Sequence, residues 1–279
     1  RELQLTLIDP KRVSFTDLKD LPHLASNVLM ESADALEVLE TLAETMEERY
    51  RILEASGEAD VSGYNERNPI LPHQVVLIDE YDKPILDNID APELAAEIRE
   101  ELKNYYAVLK DSDPYLHLVF ITGVSKFSKV SLFSGLNNLE DITVTPAFSA
   151  ICGYTQQELE HVFREHLAGH DLDAVRRWYN GYAWLGEKVY NPFDILLFLK
   201  KGAFANYWFE SATPTFLLKL LYSGRYMVPE LERLQGGESL LGSFDVDRIE
   251  VETLLFQTGY LTIHDLTVLG GMRRYTLGY

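Results

Sequence analysis

The chain has 279 residues, enough for one large domain or two modest ones. Hydrophobic residues make up 46% and charged residues 25%, so a normal core can form without a metal or disulfide staple. Lys plus Arg number 25 against 44 Asp plus Glu, a net charge of −19, which argues against a broad basic surface for tracking nucleic-acid phosphates and leaves only a local patch open.

The single cysteine, Cys152, rules out an internal disulfide framework and a zinc ribbon. It fits a reducing cytoplasm and reads as a small buried side chain. No apolar run approaches membrane-spanning length. The opening "RELQLTLIDPKR" lacks the continuous apolar core of a signal peptide, and its first residue is Arg, which suggests a chain incomplete at that end.

In chain order, residues 1–8, "RELQLTLI", alternate polar and apolar and predict a short strand. Residues 31–54 predict an acidic amphipathic helix, with Leu36, Leu39, Leu42, Ala43, Met46 and Tyr50 at helical spacing. The polar stretch "ASGEADVSGYNERNPILPHQ" reads as a long loop. "VVLID", 75–79, has no polar alternation and suits a strand buried on both faces of a parallel sheet. The next helix has Asp90 as its cap, Pro92 in its first turn and a stripe of Leu94, Ile98, Leu102, Tyr105 and Leu109. "HLVFITGV", 117–124, and "DITVTP", 141–146, are further buried-strand candidates. Strand, helix and strand in this order predict an α/β unit with a parallel sheet.

After about Phe148 the texture turns helical. "YTQQELEHVFREHL" opens with a capping box of Thr155 and Glu158. "NPFDILLFLKKG", "TPTFLLKLLYSG" and "DRIEVETLLFQTG" predict short helices. "YLTIHDL" and "RRYTLGY" predict strands joined at Gly270 and Gly271, so helices finished by a hairpin suggest a winged-helix-like module. No internal repeat is present.

The acids that end the apolar run at 75–78 carry the chemistry. Asp79, Glu80 and Asp82 fall within four residues, at the strand end where α/β folds bind ligands. An acid in the position of Asp79 holds Mg²⁺ in phosphate-handling sites, and Glu80 can orient or deprotonate a water that attacks a γ-phosphate. The second strand ends in Thr122, Gly123, Val124, Ser125 and Lys126. A hydroxyl there could sense phosphate or position water, while Lys126 and Lys129 could meet phosphate charge. The alternative is a strand ending at the surface in solvated charges.

The stretches "VVLIDEYDKPILDN", "FITGVSKFSKVSLFSGLNNLEDIT", "ICGYTQQELE", "WYNGYAW", "VYNPFDILLFL", "YWFESATPTFLLKLL" and "LLFQTGYLTI" together resemble the AAA-ATPase-like family, often ATPase modules followed by a nuclease-like domain. The resemblance runs from about Gln74 to Tyr279. It implies an incomplete P-loop-type parallel core over 74–150, a helical lid and winged-helix-like region over 151–279, and a poorly matched segment over 1–73. It implies that Asp79 and Glu80 are the Walker B pair, with Glu80 catalytic and Asp79 and Asp82 at the metal. Thr122, Ser125 and Lys126 would be the sensor and nucleotide contacts, and Mg²⁺ and ATP the cofactors. A protein partner or self-association is a further possibility.

One part of that pattern is missing. The phosphate loop G-x-x-x-x-G-K-[ST] does not occur in residues 1–74, and "GVSKFSK" has the wrong spacing. That loop supplies most of the phosphate grip. The expectation is therefore a piece of a longer protein, or a truncated gene, weak or inactive as an ATPase by itself. The rival expectation is a non-catalytic scaffold or interaction module.

Other constellations favour structure over chemistry. His166 and His170 flank Gly169 without an H-E-x-x-H pattern. Glu101 and Lys103 sit mid-helix as solvated charge. Trp178, Tyr179, Tyr182 and Trp184 could stack on bases but suit core packing better. Arg273 and Arg274 are the basic residues a nucleic-acid role for the hairpin would use.

Overall fold

The computed structural model describes residues 3–9, 15–30, 32–88, 91–113, 116–126, 138–212, 233–242 and 251–278. The chain divides into two compact units, the first over Arg1–Leu139 and the second built from Glu140–Gly242 and Ile249–Tyr279. The division falls earlier than the expected change of texture at about residue 150.

The first unit is α/β. Strands β1 (Leu3–Ile8), β2 (His73–Ile78) and β3 (Leu116–Ile121) form a parallel sheet in the order β1-β2-β3. Parallel neighbours need crossovers. Helices α1 (Ser32–Ser56) and α2 (Val61–Asn65) lie between β1 and β2, and α3 (Lys83–Leu86) and α4 (Pro92–Asp111) between β2 and β3. The register runs Ile8 to Ile78 to Ile121, which aligns the carboxyl ends of all three strands. Leu7, Ile8, Val75, Val76 and Ile78 are buried, as continuous apolar runs in a covered parallel sheet should be. β3 is not the buried strand its apolar run predicted: among the described strands it has β2 as its one neighbour, and Leu118 on it is 49% exposed.

Both long helices turn slightly differently from the predicted stripes. On α1 the buried face passes through Met46, Arg49 and Leu53, while Tyr50 is exposed. Arg49 stays on that face because its Nη1 donates to Pro72 O at 2.6 Å. On α4 the buried residues are Ala95, Tyr106 and Leu109, while Leu94 faces solvent. Asp90 lies outside the described residues, and the N-cap position is Ala91. The expected loop after α1 contains α2, capped by Asp60, whose carboxylate accepts from Gly63 N at 2.8 Å.

The second unit is mostly helical with small sheets. It contains α5 (Gln156–Val162), α6 (Leu172–Tyr179), β4 (Asn180–Tyr182), β5 (Val189–Tyr190), α7 (Pro192–Lys201), α8 (Tyr207–Ala212), β6 (Leu234–Gly236), α9 (Val251–Gln257), β7 (Thr262–Leu269) and β8 (Met272–Gly278). Thr155 and Glu158 form the predicted capping box. Leu159, Val175, Tyr179, Tyr190, Ile195 and Phe198 pack as one core. β7 and β8 form an antiparallel hairpin, with Gly270 and Gly271 at φ 58° and 84°, and β6 joins at the far side of β8. Positive φ at both turn positions suits glycine.

Two further expectations change. "DITVTP" is not a strand: Pro146 opens a short 3-10 turn, Pro146–Phe148, and the residues before it are irregular. Cys152 is exposed rather than buried, because it sits in the turn ahead of α5. The predicted helix "TPTFLLKLLYSG", 213–224, lies outside the described residues. Among the described residues no helix is long and apolar enough to cross a membrane.

Candidate functional site

The site grows from the shared register of β2 and β3. One residue past Ile78 is Asp79, and one past Ile121 is Thr122. The backbones stay linked beyond the strands: Asp79 N donates to Ile8 O at 3.0 Å and Thr122 N to Ile78 O at 2.8 Å. Asp79 and Thr122 thus fall on one face of the sheet edge. The Thr122 hydroxyl donates to Asp79 Oδ1, and Glu80 N donates to Thr122 Oγ1 at 3.3 Å. Asp79 Oδ2 makes no hydrogen bond among the described residues. Two predicted site residues on separate strands are therefore in direct contact.

Glu80 follows with φ 48°, a left-handed backbone that a side-chain-bearing residue adopts only when its surroundings enforce it. The enforcement is visible: Tyr81 N donates to Thr122 O at 2.9 Å, which turns the chain at Glu80 back onto β3. Tyr81 is buried, its hydroxyl donates to Ser125 O at 3.0 Å, and its ring meets Tyr106 of α4 edge-on. Asp79 and Glu80 remain partly exposed at the end of β2.

Asp82 departs from its expected place beside a metal. It is fully buried, and both oxygens are taken by the turn after β3. Oδ1 accepts from Val124 N at 3.0 Å, and Oδ2 accepts from Ser125 N at 2.6 Å and Ser125 Oγ at 2.5 Å. Burial pushes its carboxyl up to about 6, against the opposing pull of the Ser125 and Val124 hydrogen bonds. Ser125 departs with it: its hydroxyl is buried against Asp82 and is used up there rather than offered to a nucleotide. Gly123 makes the clasp possible, since a Cβ there would lie 2.4 Å from Tyr81 Cε1 and 2.8 Å from Asp82 Oδ1. Lys126 is partly exposed at the end of the same turn, and Lys129 lies outside the described residues. Lys83 pairs with Asp87 at 2.8 Å on α3.

Sequence reasoning missed one residue at this edge. Asp9, one position past β1, is fully buried. Its Oδ2 accepts from Phe15 N at 3.0 Å, and its Oδ1 is buried with no hydrogen-bond partner among the described residues. The signal was present, because "LTLID" ends an apolar run in an acid just as "VVLID" does. A hard cation that keeps several waters and takes one or two carboxylates would find suitable oxygens on Asp79 and at this orphaned atom. Among the described residues no three His, Cys, Asp or Glu side chains gather into a fuller cage.

Most of the aromatic run packs against other rings, although Trp178 is half exposed. Tyr179 is buried in the second unit's core, Trp178 stacks on Phe204, and Trp184 meets Phe256 edge-on. His166 and His170 rest against the rings of Phe163 and Phe198.

Comparison with known proteins bears on the same segment. The model of the AAA-ATPase-like family, described as "Predicted AAA-ATPase", matches residues 15–133, a span that begins well ahead of Gln74. An uncharacterized protein in the vnfD 5′ region of Azotobacter chroococcum is 55% identical over 205 residues, covering 74% of this chain and 40% of that protein. The DNA translocase FtsK of Halalkalibacterium halodurans is 34% identical over 90 residues, covering 28% of this chain and 11% of the translocase. FtsK of Borreliella burgdorferi is 37% identical over 92 residues, 30% of this chain and 12% of its own length. The chain thus spans less than half the length of these curated relatives. Among solved structures, the pCW3 conjugation coupling protein TcpA, in a monomer form with ATPγS, aligns over 49% of this chain and 38% of its own. It does so at 19% identity and a TM-score of 0.38.

Proposed function

We propose, from the match of the AAA-ATPase-like family model to residues 15–133, that the carboxyl edge of the β1-β2-β3 sheet is the metal and water side of an ATP site. The observation that carries this reading is the contact of Thr122 with Asp79 beside the forced turn at Glu80. Mg²⁺–ATP would supply the phosphoryl group and the charge that polarises it. Asp79 would hold the metal through Oδ2, its Oδ1 being held by the Thr122 hydroxyl. Glu80 stands one residue on, turned out of the strand line, where it orients a water and takes its proton. Thr122 acts through Asp79 and the Glu80 backbone, which makes it a positioning residue. Asp82 and Ser125 stiffen the turn behind them.

The phosphate grip is the weak side. The sequence has no G-x-x-x-x-G-K-[ST] loop, so these 279 residues bind ATP poorly and hydrolyse it slowly or not at all without that grip. The helical second unit with its terminal hairpin takes the part of a lid and winged-helix-like region. Its arginines Arg273 and Arg274 are exposed. The FtsK relatives are named DNA translocases; with a net charge of −19, any nucleic-acid contact of this chain is confined to such a local patch.

A thermal shift titration with Mg-ATP tests the reading. A ligand at about a hundred times its Kd adds roughly 2.7 kcal/mol of stability. The expected result is a weak, saturable shift at millimolar ATP that Asp79→Ala removes and Glu80→Gln retains. No shift at that concentration overturns it.

A second reading, a non-catalytic interaction module, is favoured by the hairpin tip, where Val268, Leu269 and Met272 are 60%, 60% and 75% exposed. Under that reading the chain self-associates or holds a protein partner through the tip.

A further inference from the structure

Asp9 is the residue at the sheet edge that this reading leaves unused. The chain keeps its strand pairing through it, since Asp9 N donates to Leu29 O at 2.8 Å. Because Ile8, Ile78 and Ile121 are in register, the next residues across the sheet are Asp9, Asp79 and Thr122. Side chains alternate along a strand, so all three project from the face that carries Leu7, Leu77 and Phe120. The contact of Thr122 with Asp79 bears this out for two of them. Neighbouring strands lie about 4.8 Å apart, which makes Asp9 and Asp79 adjacent carboxylates.

Two such groups side by side, one of them fully buried, are unfavourable when both are ionised unless a cation lies between them. Asp9 Oδ1 is buried and accepts nothing among the described residues. Buried polar atoms are rarely left bare without an ion, a water or a working role. Asp79 Oδ2 is also unused among the described residues.

We propose that Asp9 is a second carboxylate ligand, directly or through one water, for a divalent cation seated against Asp79. The inference rests on the Mg-nucleotide reading and deepens it by naming where the metal's second protein oxygen comes from. Two carboxylates and retained waters suit Mg²⁺ or Mn²⁺. The competing role is local: Asp9 holds Phe15 N, just ahead of the turn at Thr16–Leu18, and an asparagine could make that bond equally well.

The two roles separate by experiment on the full 279-residue chain, with Mn²⁺ as the probe and electron paramagnetic resonance as the readout, with and without ATP. Wild type should bind one Mn²⁺, and Asp9→Asn should weaken that binding by at least about tenfold, as removal of a metal-orienting carboxylate does. Asp79→Asn should abolish it. If Asp9→Asn binds Mn²⁺ like wild type while Asp79→Asn does not, the Asp9 proposal fails and the nucleotide reading stands. If wild type binds no Mn²⁺ under either condition, both fail. Should Asp9→Asn not fold, Asp9→Glu takes its place. It keeps the charge but moves the oxygens by one methylene, and unchanged Mn²⁺ affinity and line shape in that variant would overturn the proposal.

Discussion

Asp82 follows the sheet edge in sequence and turns away from it in space. Its carboxyl is raised to about 6 by burial, so the folded state binds its proton more tightly than the unfolded chain, where an aspartate titrates near 3.9. The sign follows: Asp82 contributes most stability below the unfolded value, and that contribution is lost as pH rises through about 6. The full difference is on the order of 3 kcal/mol. Urea unfolding at low protein concentration between pH 4 and pH 7 should find the advantage of wild type over Asp82→Asn shrinking upward and level above about pH 6.5. A difference independent of pH would sink the assignment. The acids of "VVLIDEYD" were legible as a cluster at the sheet edge because an apolar strand ended in them. What distinguishes Asp82 from Asp79 was not legible, since it depends on which way the chain turns at Glu80 and on the missing Cβ of Gly123.

Among the elements, those with strong local signals were read correctly. The parallel strands β2 and β3 announced themselves as apolar runs, the capping box of α5 as Thr155 and Glu158, and the hairpin by paired glycines. The buried face of α4 was read one residue off, since Leu94 is as apolar as its neighbours and only packing chooses Ala95 and Tyr106. The caps can be tested directly. Asn191 accepts from Phe193 N at 2.9 Å and Asp194 N at 3.3 Å, with Pro192 at the first helical position of α7. Asn191→Ala should cost about 1 kcal/mol, a drop of roughly 2–4 °C in Tm, and Asn191→Asp should recover most of it. Equal melting of all three proteins would mean that the second unit's core, not its cap, holds α7 in place.

At the scale of the molecule, the AAA-ATPase-like match and the parallel sheet belong to the first unit, while the helical second unit carries the terminal hairpin. The charge of −19 covers both. Composition made that charge plain from the start, but its bearing on β3 depends on the strand order. β3 has one described neighbour, and Leu118 is half exposed on it. A sheet edge of this kind is a template for another chain, and natural proteins defend such edges with charge. Here the defence is global: at neutral pH, mutual repulsion keeps copies apart like particles in a stable colloid. Near the isoelectric point of about 4.7 the repulsion vanishes while the edge remains. Light scattering should therefore rise sharply as pH approaches that value, and salt at pH 7 should reproduce part of the effect by screening. Leu118→Lys should delay the rise, and if it does not, the clouding begins at some other surface. The strand that helps to build the site would then also set the conditions under which the protein can be kept in solution.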